Sequence, residues 1–132
     1  MTAYRVEIIA VGTELLLGNV ANTDAQFLSE MLASVGVDVL YHTAVGDNPA
    51  RLREVVDIAR GRANLLVFTG GLGPTYDDMT KQIVCEAFGL GLEFHPEIVE
   101  EIRHYFDTVF RREMPACNLQ QAYLPRGCTV LH

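Results

Sequence analysis

The chain has 132 residues, 49% of them apolar, and a formal net charge of −7. That length suits one compact domain with its own core, and the apolar content excludes a disordered polymer. The acidic balance argues against broad nucleic-acid binding while leaving room for a local cationic site for one phosphorylated ligand. Val6 to Val11 is a β-branched run ending at Gly12, the pattern of a buried parallel strand. Asn22 and Thr23 precede a helical repeat of Phe27, Leu28, Met31, Leu32 and Val35 that Gly36 stops, and Gln26 is placed to complete a capping box. Val37 to Val45 predicts a second strand. Pro49 opens a second helix whose Leu52, Val55, Val56 and Ala59 face inward. Leu65 to Phe68 predicts a third strand running into Gly70 and Gly71. A third helix is expected over Asp77 to Phe88, with Ile83, Val84 and Ala87 inward. A fourth begins at Pro96 and turns Ile98, Val99, Ile102, Tyr105, Phe106 and Val109 to the core. After Pro115 the signal weakens to a helical turn near Leu119 to Tyr123 and a last strand near Val130.

This alternation predicts an α/β fold: a mainly parallel sheet covered by helices on both faces through right-handed crossovers. Ligands of such sheets bind beyond the carboxyl ends of the strands. Three glycine-bearing polar loops fall there: Gly12-Thr13-Glu14, Gly46-Asp47-Asn48, and the run from Gly70 to Asp78. Cys85, Cys117 and Cys128 form no CxxC pair, which fits a reducing cytoplasm. No apolar run is long enough to span a bilayer and the N-terminus carries no signal pattern, so no membrane partner is expected.

The richest segment is Thr69-Gly70-Gly71-Leu72-Gly73-Pro74-Thr75-Tyr76-Asp77-Asp78-Met79-Thr80-Lys81. Gly70, Gly71 and Gly73 allow sharp turns and close approach of a ligand, and exposed main-chain N–H groups before a helix form an anion site. Thr75 and Thr80 add hydroxyl donors, and Lys81 adds a cation suited to phosphate. Asp77 and Asp78 are placed to cap the following helix, and either carboxylate suits a metal or a proton as well. The plain alternative is a strand-to-helix turn, which would not need so many polar groups together. In Gly12-Thr13-Glu14-Leu15-Leu16-Leu17-Gly18-Asn19 the leucines read as core, while Thr13 and Glu14 stand at the ligand edge. Asn22 and Asp24 read as helix-start residues. Asp47 either begins a turn or pairs with Asp78 around a shared proton or a Mg²⁺-type ion. His42, His95, His104 and His132 lack metal-ligand spacing, Glu97, Glu100 and Glu101 read as a solvated face, and Cys85 reads as core. The glycines match neither a Walker A loop nor the dinucleotide-binding fingerprint.

Taken together, Val11 to Gly18, Asn22-Thr23, Val45 to Asn48, Thr69 to Thr75, Asp77 to Lys81, Asn118 to Ala122 and Leu124 to Gly127 resemble the N-terminal domain of the CinA (competence/damage-inducible) family. That family is part of the molybdopterin-binding-like superfamily of MogA, MoaB and part of MoeA. The resemblance implies a three-layer α/β/α sandwich over residues 1–132 and a homo-oligomer. It implies metal-dependent cleavage of ADP-ribose to AMP and ribose 5-phosphate, with Mg²⁺, Mn²⁺ or Co²⁺. By motif position it assigns Asp47 and Asp78 as catalytic residues, with Glu14 joining them at the metal. Thr13, Gly70, Gly71, Gly73, Thr75, Thr80 and Lys81 then hold the nucleotide. The molybdopterin branch carries Gly-Gly-Thr-Gly where this chain has Gly70-Gly71-Leu72-Gly73, which favours the CinA branch. The family pattern continues past the position of His132 through a Gly-Thr-Ala-Pro-Gly loop and a Pro-Gly-x-Pro segment, so a domain incomplete at its C-terminal end is expected. The alternatives are a domain for molybdopterin binding or adenylyl transfer, and a non-catalytic nucleotide-binding fragment.

Overall fold

The computed structural model describes residues 3–18 and 20–132; Asn19, the last residue of the leucine-bearing segment, lies outside the described residues. The chain divides into two compact units, Met1–Gly71 and Leu72–His132.

The first unit holds β1 (Val6–Val11), a single helical turn α1 (Thr13–Leu16), α2 (Thr23–Ser34), β2 (Val39–Val45), α3 (Pro49–Arg62) and β3 (Leu65–Thr69). The three strands form a parallel sheet in the order β2-β1-β3. Alternate residues of a strand point to opposite faces, and β1 shows both. Val6 and Ile8 pack with Ala25, Leu28 and Leu32 of α2. Glu7, one residue out of phase, bonds Arg62 of α3. Helix, sheet and helix are therefore three layers, as right-handed crossovers on either side of β1 require. Every residue of β1 is buried, so the central strand carries no polar-apolar alternation.

The helix boundaries follow their caps. Asn22 caps α2 by accepting from the Ala25 amide, and Asn48 caps α3 by accepting from the Arg51 amide at 3.0 Å. With Asn22 in that place Gln26 stands one residue too late for the expected capping box, and its side chain bonds Glu30 instead. Three of the five residues expected on the inner face of this helix are also turned outward: Leu28 and Leu32 pack on the core, whereas Phe27, Met31 and the C-cap Val35 are exposed. Leu16 and Leu17, expected in the core, are exposed too, because a single turn following β1 has no covering layer of its own.

The second unit holds α4 (Thr80–Ala87), β4 (Leu92–Phe94), α5 (Pro96–Tyr105), a π-helical turn over Phe106–Phe110, a 3₁₀ segment over Ala116–Ala122, and β5 (Tyr123–Pro125). β4 and β5 pair antiparallel. Four differences from the expectation stand here. α4 begins at Thr80, not Asp77, with Met79 at its N-cap position and no side-chain cap hydrogen bond. The last strand is Tyr123–Pro125, and residues 128–132 form no strand. Leu92–Phe94 is a strand whose pairing partner lies about thirty residues away, too far for periodicity to register. Tyr105 and Val109 are exposed rather than inward; the switch from α to π winding after Tyr105 rotates the apolar stripe at Val109. Among the described residues no helix is long and apolar enough to cross a membrane.

Candidate functional site

In the first unit the carboxyl ends of the strands carry the expected loops. After β1, Thr13 and the loop after β2 are laced reciprocally. The Thr13 amide donates to Asp47 Oδ2 at 3.2 Å, and the Asp47 amide donates to Thr13 Oγ1 at 3.1 Å. Gly46 permits this, since a β-carbon there would crowd Leu16 and Thr13 at 3.3–3.4 Å. Asp47 does not cap α3; Asn48 does. Glu14 folds its carboxylate back over Gly12, into space that a β-carbon on Gly12 would fill. At the end of β3, Gly70 takes φ +80°, and a β-carbon there would strike the Val11 carbonyl oxygen. Only glycine satisfies both the left-handed backbone and the close approach. Glu14, Asn22, Asp24 and Gly70 line an open cleft of about 130 Å³ with Val11 and Thr69. Ligand pockets usually span roughly 300–1,000 Å³, so this cleft has room for a small group and not for a whole nucleotide.

In the second unit the loop from Gly73 to Asp78 is tied by its own aspartate. Asp78 Oδ2 accepts from the Thr75 amide at 2.9 Å and from Thr75 Oγ1 at 2.6 Å, and the Asp78 amide donates to the Thr75 carbonyl at 3.1 Å. The Thr75 hydroxyl holds the Asp78 carboxyl below its ordinary value. Partial burial opposes it, and the Thr75 and Gly73 amides reinforce it. A β-carbon on Gly73 would sit 2.6 Å from that carboxylate. The expected helix-capping role of Asp78 is thus replaced by a loop-bracing one, because α4 starts at Thr80, three residues later than the pattern predicts. Thr75, expected as a ligand donor, spends both its amide and its hydroxyl on Asp78. Thr80 is buried, so its hydroxyl is not presented on the loop surface.

Lys81 is half-buried, and burial lowers its pKa. Its ammonium donates to the Gln120 carbonyl at 2.8 Å, and the Gln120 amide in turn donates to the Asp78 carbonyl at 3.4 Å. Gln120 was not singled out from the sequence; the signal for it lay in the Asn118 to Ala122 run, which carried part of the resemblance. Glu7 was missed as well. It is fully buried in β1 and accepts from Arg62 Nε at 2.8 Å, Arg62 Nη2 at 2.7 Å and Thr43 Oγ1 at 2.7 Å. A lone acid inside a buried apolar strand needs such a partner. The Arg62 bond holds its carboxyl below the ordinary value against the opposing effect of burial. Glu7 stands near the start of β1, away from the carboxyl edge, so it belongs to the scaffold. Cys85 is buried, with its thiol pushed up by that burial, in keeping with a core residue.

Among the described residues no three His, Cys, Asp or Glu side chains gather as a ready metal cage. Taken unit by unit, the donors suit a hard ion in type: Glu14 and Asp47 in the first unit and Asp78 in the second are carboxylates, and Mg²⁺ is commonly held by one or two carboxylates with water and substrate phosphate completing its shell.

The model of the family described as "Probable molybdopterin binding domain" matches residues 7–131. The chain belongs to that family. It is 52% identical over 125 residues to a "Putative competence-damage inducible protein" of Caldicellulosiruptor saccharolyticus, a match covering 95% of this chain and 30% of the relative. It is 50% identical over 127 residues to the Bacillus subtilis protein of the same name, covering 96% of this chain and 30% of that one. The chain therefore spans about 30% of the length of these relatives. Among solved structures, CinA of Thermoplasma acidophilum, described as having unknown function, is similar with a TM-score of 0.78 and 28% identity, covering 96% of this chain and 73% of that one. The molybdopterin biosynthesis enzyme MoaB of Thermus thermophilus shares the fold, with a TM-score of 0.61 and 23% identity over 92% of this chain and 79% of that one. The α/β sandwich and the resemblance to CinA-type proteins both stand.

Proposed function

We propose that this domain hydrolyses the phosphoanhydride of ADP-ribose to AMP and ribose 5-phosphate with the help of a divalent ion. The observation that carries the reading is Asp78, held ionised inside the glycine-rich loop of a chain half identical to competence-damage inducible proteins. Lys81 and main-chain N–H groups of the Gly70 to Gly73 run bind the pyrophosphate. Thr13 orients Asp47 through their paired hydrogen bonds. Thr75 orients Asp78 and keeps it charged. Asp78, with water and substrate phosphate completing the shell, would hold Mg²⁺, Mn²⁺ or Co²⁺, which when bound supplies Lewis-acid stabilisation of charge on the phosphoryl oxygens. A carboxylate accepts the proton of the attacking water, the part assigned to Asp47. The homo-oligomer belongs to the same reading, supported by the exposed Phe27 and Met31 on α2 and Val35 at its C-cap, at four-residue spacing.

The family description favours a second reading, in which the same loops bind molybdopterin for adenylyl transfer. Leu72 stands against it, since it puts an apolar, exposed side chain where that branch carries a hydroxyl. Incubation with ADP-ribose, and separately with molybdopterin and ATP, decides between them. AMP with ribose 5-phosphate supports hydrolysis, and an adenylylated pterin product supports transfer.

A further inference from the structure

Tyr76 is 98% exposed, more than any other large apolar residue among the described residues. A single exposed aromatic is ordinary on a floppy loop, but this one stands on a braced turn. The Asp78 amide donates to the Thr75 carbonyl, closing a four-residue turn with Tyr76 and Asp77 at its centre. The Thr75 amide and hydroxyl both return to the Asp78 carboxylate. Three hydrogen bonds thus hold the two ends of the turn together, and the ring between them has no aromatic or cationic partner among the contacts within the described residues. A tyrosine on a rigid turn offers a large amphipathic face at small entropic cost, a feature of recognition surfaces. Within the same loop, Gly73 lies three residues before it and Lys81 five after it. An aromatic face is therefore fixed in the segment that supplies the phosphate-binding cation.

We infer that Tyr76 stacks on the nucleobase of the bound nucleotide and so sets the preference for a base-bearing pyrophosphate. The inference rests on the phosphoanhydride-hydrolase reading above. Stacking on an aromatic face needs only a π-surface, so the selectivity is for the presence of a base rather than its identity. The ring is not placed in the phosphate or proton chemistry. Its removal therefore leaves the handling of base-free phosphates unchanged.

The test measures binding of ADP-ribose, AMP and inorganic pyrophosphate to the wild-type domain, Tyr76→Phe and Tyr76→Ala, by calorimetry with Mg²⁺ present. Tyr76→Ala should weaken ADP-ribose and AMP about tenfold and leave pyrophosphate within twofold, and Tyr76→Phe should restore both nucleotides. The chain has no tryptophan, so quenching of tyrosine emission by AMP, lost in Tyr76→Ala, is a second readout. Affinities of Tyr76→Ala unchanged from wild type for all three ligands would overturn the inference while leaving the hydrolase reading intact. A wild-type domain that binds none of them would overturn both. Tenfold weakening of pyrophosphate alongside the nucleotides would also overturn it, by showing that the ring merely supports the loop.

Discussion

Two carboxylates, Glu7 and Asp78, are both held below their ordinary values, and they get there by different routes. Glu7 is fully buried and meets a cation, the bidentate guanidinium of Arg62, itself lying over the Tyr41 ring at 3.9 Å. Asp78 is only half-buried and meets no cation in its bracing; a neutral threonine hydroxyl and main-chain amides hold it charged. The first arrangement uses up its charge in neutralising a neighbour. The second leaves a net negative charge on a glycine-rich loop, available to an ion or a water. A lowered pKa alone does not separate scaffold from site; what surrounds the carboxylate does.

The sharpest way to break the comparison is Asp78→Asn. An asparagine oxygen can still accept from Thr75, so the melting free energy should drop by only about 0.5–1 kcal/mol. Turnover of ADP-ribose should fall by roughly 100-fold or more, the loss of about 3 kcal/mol of transition-state stabilisation. Initial rates and melts on the same preparations read both. Near-normal turnover would move the role to another residue.

Glu7→Gln should behave in the opposite sense. Unfolding by urea should show a loss of about 1–3 kcal/mol, moderated because Arg62 is more than a third exposed and can be hydrated, with turnover unchanged where the protein is folded. Acid makes the same point. Both carboxyls titrate lower in the folded chain than in the unfolded one. Their stabilisation is fully present above their ordinary values of 4.5 for Glu7 and 3.8 for Asp78, and is lost as the pH falls through the folded values. Melts from pH 7 to pH 3 should fall steeply only below about 4.5, and more shallowly in Glu7→Gln.

A smaller effect comes from Thr75→Val. It removes the hydroxyl that contributes most to keeping Asp78 charged. The acid limb of the rate profile should move to higher pH, while the alkaline side stays put. An unmoved acid limb would show that Asp78 is not the titrating group. The smallest is Asn48→Ala, which deletes the α3 cap and should cost about 1 kcal/mol with no change in turnover.

Much of this was legible in the residues. The apolar run Val6–Val11, the cap at Asn22 and the proline at 49 each encode an element locally, and the observed elements follow them. The glycine-rich run was legible because Gly70 answers a steric demand that no other residue meets. What escaped depends on long-range partners. Glu7 is explained by Arg62, fifty-five residues on, and β4 by β5. Asp77 and Asp78 looked like helix caps because capping residues and turn-bracing residues are the same types, and only the start of α4 at Thr80 distinguishes them. The exposure of Phe27, Met31 and Val35 was hidden for a similar reason: a helical apolar repeat shows that a face exists, not how wide the layer beneath it is.

The most direct test of the central claim is a divalent-ion titration of ADP-ribose turnover by the protein, starting from protein stripped with EDTA and adding Mg²⁺, Mn²⁺ or Co²⁺. The account predicts turnover near zero without the ion, rising to saturation with it, and releasing AMP and ribose 5-phosphate in equal amounts. ADP-ribose left intact at saturating concentrations of all three ions would contradict it.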